Sequence, residues 1–146
     1  MSKSTLAERQ AALVAALVAG EPSPAGFDAD RLAATGRALR HKRAGEVAAV
    51  WPGLAASFGD RWGEHFSRWA RGRPPQGALR DGWDMARELA SVIRLAAPAR
   101  VELACREAGA RYSGRAAPRR RVGPVVRVVP GGLVLGVAGH VWRLGR

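Results

Sequence analysis

Apolar positions recur at helical spacing through the first hundred residues and at strand spacing near the end. Leu6, Leu13 and Leu17, with Val14 and Val18 beside them, predict a first helix with an apolar side. Thr5 to Glu8 reads T-L-A-E, the spacing of a capping box, in which the hydroxyl and the glutamate each satisfy a free backbone N–H. Gly20 ends this helix and EPSPAG follows as a loop. Asp28 or Asp30 caps a second helix whose apolar positions are Leu32, Leu39, Val47 and Val50. Between them lie Arg37, Arg40, Lys42 and Arg43.

The next stretch, WPGLAASFGDRWGEHFSRWARGRPPQG, holds three of the five tryptophans and two of the three phenylalanines. Pro52 suits a first helical turn, Gly59 a helix end, and Asp60 the cap of the following helix. Leu54, Phe58, Trp62, Phe66 and Trp69 share one helical side, opposite Arg61, Glu64, Arg68 and Arg71. Such a stripe holds helices together; Trp51 and Trp69, near the ends of the segment, are the rings expected to escape burial. Gly72 and Pro74-Pro75 force an extended connection. Asp81 then caps a helix to about Ala96, with Met85, Leu89, Val92 and Ile93 inward. Pro98 opens a last helix through Val101, Leu103, Cys105 and Ala108.

After RYSGRAAPRRRVGP, which has no period, the pattern changes. VVRVV, PGG, LVLGV, AG and HVWRLG alternate strands with turns. Reading PGG as a three-residue loop aligns Arg127 with Leu135 and Trp142, Val125 with Val137 and His140, and Val129 with Leu133 and Leu144. Val126, Val128, Val134, Val141 and Arg143 take the other face. The expected fold is mainly α with a small C-terminal antiparallel β-meander, an α+β class. A helical domain spans 1–112, a basic linker 113–124, and the meander 125–146, packed on the helices because three strands are marginal alone.

Charge sharpens this picture. The chain of 146 residues carries a formal net charge of +12, and 22 of its 24 basic residues are arginine, a bias that a GC-rich genome also produces. The surplus sits in two blocks: 37–80 sums to +6, and 111–146 to +8 with no acid at all. Cys105 is the only cysteine, which excludes an internal disulfide. No apolar run approaches the about 20 residues of a membrane span, and the opening MSKSTLAERQ lacks an export pattern, so a cytoplasmic setting without membrane partners is expected. His41, His65 and His140 have no partners at metal-ligand spacing, and no nucleophile-elbow, phosphate-loop or H-E-x-x-H motif occurs. The expectation is a non-enzyme without cofactor or metal.

The segments L-A-E-R-Q, A-L-R-H-K-R and W-P-G-L-A-A-S-F-G-D-R-W-G-E-H-F resemble the N-terminal domain of the partner proteins of multinuclear non-haem iron enzymes, of the methanobactin and bufferin type. Those enzymes modify ribosomally made peptides. The family's proline, glycine and aromatic helix correspond here to Pro52, Gly59 and Trp62 with Phe66. Its double proline, leucine, glycine and apolar helix correspond to Pro74-Pro75, Leu79, Gly82 and the run from Trp83 to Leu89. The resemblance spans roughly 5–110, and a related domain is fused to the iron enzyme in some actinobacteria. It implies a non-catalytic subunit that docks on the iron enzyme and presents the precursor peptide, with iron and catalysis left to the companion.

An extended peptide could pair with an open edge of the meander. Arg119, Arg120, Arg121, Arg127 and Arg143 would attract an acidic leader, and Trp142 would supply a large ring. A second basic surface would be Arg37, Arg40, Lys42 and Arg43. The alternative is a nucleic-acid binder that uses the basic blocks. Against it, the aromatics fall on the inward stripe and no helix reads as a groove-reading element.

Overall fold

The structure is a computed structural model and describes residues 5–93 and 95–145; Met1 to Ser4, Arg94 and Arg146 lie outside the described residues. The fold is mainly helical with a C-terminal three-stranded antiparallel meander. Helix α1 (Leu6–Ala19) begins at the predicted capping box: Thr5 Oγ1 accepts from Glu8 N at 3.3 Å and Glu8 Oε2 accepts from Thr5 N at 2.8 Å. It ends at Gly20, in the left-handed region with φ 72°. Helix α2 (Ala29–Val50) is capped by Asp28, whose Oδ1 accepts the N–H groups of Asp30 and Arg31 at 2.9 and 3.1 Å.

The chain divides into two compact units, Met1–Glu46 with Gly63–Pro75 and Val47–Trp62 with Gln76–Arg146. The first contains α1, most of α2 and most of α4 (Trp62–Ala70). α1 and α2 touch at Gly36, where a Cβ would lie 2.9 Å from the Leu17 carbonyl oxygen. The carbonyls at the end of α1 find donors outside the helix: Val18 accepts from Gly72 N at 3.1 Å, and Arg40 Nη1 lies 3.5 Å from the Leu17 oxygen. Arg43 lies over the Phe66 ring and donates to the carbonyl of Arg73 at 2.8 Å. It thus holds the chain just before the double proline.

The second unit contains α3 (Pro52–Ala56), a 3-10 turn at Gly59–Arg61, α5 (Ala78–Val92), α6 (Ala97–Gly109) and every strand. Trp51, Leu54, Trp83, Met85, Ala86 and Tyr112 are buried in it. The exposure expected of Trp51 is not found: its relative exposure is 0%. Its Nε1 donates to the Leu79 carbonyl at 3.0 Å, its ring meets Trp83 edge-on at 5.9 Å, and the Arg106 guanidinium stands 4.9 Å from its centroid. The aromatic stripe is divided between the units. Leu54 and Trp62 are buried and Phe58 half-buried in the second, Phe66 buried and Trp69 half-buried in the first.

Helix α5 starts three residues before the expected cap. Asp81 is buried inside the first turn and accepts the Gln76 N–H at 3.2 Å. The inward side of α5 is Asp81, Gly82, Trp83, Met85 and Ala86, and the helix ends at Val92, with Val92 and Ile93 exposed. Residues 113–124 are not wholly irregular: β2 (Arg119–Arg120) folds back to pair with β1 (Ala110–Arg111).

The meander comprises β3 (Val125–Val129), β4 (Gly132–Val137) and β5 (His140–Gly145), in that order across the sheet. Its second half has the predicted register, with Leu133 opposite Leu144, Leu135 opposite Trp142 and Val137 opposite His140. The first half is shifted by one residue. Gly132 belongs to β4 and pairs with Val129, leaving Pro130 and Gly131, the latter at φ 77°, as a two-residue turn. A shift of one turns every side chain of β3 to the opposite face. Val125, Arg127 and Val129 therefore meet α6, where Val129 and Val134 form a core with Ala104 and Ala108. Contact is close enough that a Cβ on Gly136 would fall 2.4 Å from the Ala108 carbonyl oxygen.

Candidate functional site

The same shift builds an apolar outer face. Val126, Leu135 and Trp142 stand in one row across the sheet, and Val128, Leu133 and Leu144 in the next. Val128 is 81% exposed, Leu144 54% and Trp142 49%; Val126 and Leu133 are also exposed, and Leu135 is half-buried. Six large apolar side chains on one small sheet make a contiguous patch of the kind that marks interaction surfaces. β5 ends the ladder on one side and is exposed at every residue from His140 to Gly145. Its outward residues are His140, Trp142 and Leu144; the His140 and Trp142 rings lie 6.0 Å apart.

Arg120 frames this edge. Its side chain runs across Gly139 and reaches His140 Nε2 at 3.2 Å. Arg119 is exposed on β2. Arg121 turns inward: its Nε donates to the Glu107 carbonyl at 3.1 Å. Arg127 is on the α6 side, paired with Glu107 Oε2 at 2.9 Å, while Arg87 Nε donates to Glu107 Oε1 at 2.7 Å. Arg127 and Trp142 therefore occupy opposite faces of the sheet. Arg143 is exposed and shares the α6 side with Arg127; burial pushes the Cys105 thiol up, and the nearby Arg143 charge partly offsets that rise. Of the tail residues named from sequence, Arg120 and Trp142 converge on the β5 edge, joined by His140. Val126, Val128, Leu133 and Leu144 were missed as site residues, and the two-residue turn was the signal that could have placed them.

The basic helix surface separates as well. Lys42 pairs with Glu46 at 3.9 Å, and Arg43 is turned onto Phe66 and Trp69. Arg37 and Arg40 instead meet Arg71, from the turn after α4. Together they line two neighbouring cavities of the first unit, of about 460 and 750 Å³. Burial, and after it the like charges of Arg71 and Arg37, hold the Arg40 guanidinium below the ordinary arginine range. The Gly72 N–H bond to Val18 explains the meeting: it seats the turn, and Arg71 with it, at the end of α1 beside Arg40.

Among the described residues, no group of three or more His, Cys, Asp or Glu side chains is placed to hold a metal ion. No helix among them is long and apolar enough to cross a membrane.

A family model described as "SCO6045-like, C-terminal domain" matches residues 7–91, more than half of the chain, and the chain belongs to that family. The match covers α1 to α4 and nearly all of α5, and stops short of α6 and the meander. A "UPF0276 protein" of Streptomyces avermitilis is 44% identical over 89 residues, which are 60% of this chain and 18% of that protein. The chain thus corresponds to less than a fifth of that curated relative's length. No solved structure matches.

Proposed function

We propose that this member of the SCO6045-like C-terminal domain family is a non-catalytic partner subunit, which docks on a multinuclear iron enzyme and presents a ribosomally synthesised precursor peptide to it. The observation that carries the peptide half is β5: an edge strand exposed along its whole length, which contributes Trp142 and Leu144 to the apolar outer face. An extended segment added there would gain main-chain hydrogen bonds from the edge. Alternate side chains of that segment would reach Trp142 and Leu144, and Arg120 would meet an acidic residue at the flank. The enzyme half rests on the sequence resemblance and on the proportions of the Streptomyces relative. There, a segment similar to 89 residues of this chain is covalently joined to a far larger remainder, and a domain joined to a protein in one organism is a natural companion for its counterpart in another.

The test is amide hydrogen exchange on the full chain with and without the precursor peptide of the companion enzyme. The expected result is new protection at residues 140–145 with little change in the first unit. Tight binding of the peptide that leaves those amides unchanged would remove the β5 edge from the account.

The nucleic-acid reading is favoured by one observation, the meeting of Arg37, Arg40 and Arg71 without a paired carboxylate among the described residues. Against it, Trp51, Trp62 and Trp83 are buried and unable to stack on bases. Salt distinguishes the two. Binding to duplex DNA falls by about 0.9 in log K per phosphate neutralised for each tenfold rise in salt. DNA affinity is expected to vanish near physiological ionic strength, and nanomolar affinity there would support the alternative.

A further inference from the structure

We propose that the first unit carries a separate ligand site, a pocket for a small amphiphilic oxyanion, at Arg37, Arg40 and Arg71. Three features of the cavity of about 460 Å³ point to it. The first is its chemistry: the lining combines the apolar Leu17, Leu32 and Ala33 with the three arginines. The second is that the cluster has no carboxylate ion-paired to it among the described residues, whereas Lys42, Arg68, Arg87 and Arg127 each have one. Glu21 lines the cavity but makes no ion pair with the cluster. The third is size. Cavities of about 300 Å³ and above accommodate small organic ligands, so the space exceeds what a bare phosphate needs.

The local fold explains why like charges tolerate this proximity. The C-terminal end of α1 carries partial negative charge, and Arg40 approaches the Leu17 carbonyl there. That accounts for one cation. The Arg37 and Arg71 side chains have no hydrogen-bond or ion-pair partner among the described residues, and both line the second cavity of about 750 Å³ as well. A guanidinium presents paired N–H donors that match two oxygens of a phosphate or a carboxylate. An oxyanion among the three would relieve their mutual repulsion, while its apolar body would cover Leu17, Leu32 and Ala33. Gly36 lets α1 and α2 approach here: a Cβ there would fall 2.9 Å from the Leu17 carbonyl oxygen and 3.3 Å from Arg40 Nη1.

Phosphate and carboxylate headgroups share this chemistry, and titration calorimetry on the full chain separates them. The probes are hexyl phosphate, hexanoate and inorganic phosphate, at constant ionic strength. Saturable binding of hexyl phosphate or hexanoate is expected, with the preferred headgroup identifying the source. The hexyl form should bind at least tenfold more tightly than inorganic phosphate. Arg40 also contacts α1, so Arg37→Gln and Arg71→Gln are the decisive variants. Each should weaken binding about tenfold or more without lowering the melting temperature, and the exposed Arg115→Gln should leave it unchanged. Absence of saturable binding by either hexyl probe would overturn the site, as would equal loss in Arg115→Gln. Duplex DNA bound through Arg37 and Arg71 while both hexyl probes fail would overturn it in favour of a polyanion surface.

Discussion

The Trp51 indole lies directly against Gly82: a Cβ built on Gly82 would sit 2.2 Å from Trp51 Cδ1 and 2.4 Å from Nε1. The glycine is buried in the second turn of α5, where its backbone freedom is not needed, so its role is space. Gly82→Ala must displace a tryptophan that is fully buried and hydrogen-bonded to Leu79. Overpacking of this kind costs about 1–3 kcal/mol or more. Denaturant unfolding of the variant should show that loss, and an unchanged midpoint would mean the ring sits elsewhere.

Glu107 carries two guanidiniums, Arg87 at 2.7 Å and Arg127 at 2.9 Å. Its side chain is 15% exposed and the arginines 38% and 37%, so solvent screens the pairs in part. Glu107→Gln should cost about 1–3 kcal/mol. A double-mutant cycle with Arg127→Met should return a coupling of about 1 kcal/mol. No coupling would show that Arg127 is held by packing alone.

Trp142 and Val134 lie on opposite faces of the meander and should separate binding from stability. Trp142→Ala removes a half-exposed ring and should change unfolding free energy by less than about 1 kcal/mol. Val134→Ala opens a void against Ala104 and Ala108 and should cost about 2 kcal/mol. If the outer face holds the peptide, only the first variant loses precursor binding while still fully folded. A binding loss that follows the melting temperature in both variants would make the face structural.

Glu102 gives a pH signature. Burial raises its carboxyl above the ordinary 4.5, against the opposing pull of the Leu54 N–H at 2.8 Å and of Arg106. The native state therefore binds this proton more tightly than the unfolded chain does. The contribution to stability is complete below the ordinary value and is lost as pH rises through the folded one. Glu102→Gln keeps an acceptor for Leu54 and removes the titration. Melting temperatures from pH 4 to 7 should show the variant gaining on the parent as pH rises; a constant difference would show that Glu102 titrates normally.

What the sequence disclosed was local. The Thr5 capping box, the Gly20 stop and the β4–β5 register depend on residues within a few positions of one another, and each is found. The misreadings depended on distant or ambiguous partners. Trp51 is buried by Gly82 and Arg106, more than thirty and fifty residues away, which no helical period displays. The β3 register turned on whether Gly132 was loop or strand, and that single residue decided whether Arg127, or Val126 and Val128, face α6. The meeting of Arg71 with Arg37 and Arg40 needs the turn after α4 to be seated at the end of α1, a long-range hydrogen bond without a sequence signature.

The stretch from Arg111 onward contains eight arginines and no acid, yet Arg127 is paired with a carboxylate from α6, which it shares with Arg87. Its last strands lean on one face of that helix for both counter-charge and apolar cover, through Glu107 for the first and Ala104 and Ala108 for the second. Severed from α6, the meander would be a short polycation with an oily inner surface. It is therefore not a transplantable recognition cassette, and the smallest fragment able to present the β5 edge must carry α6 with it.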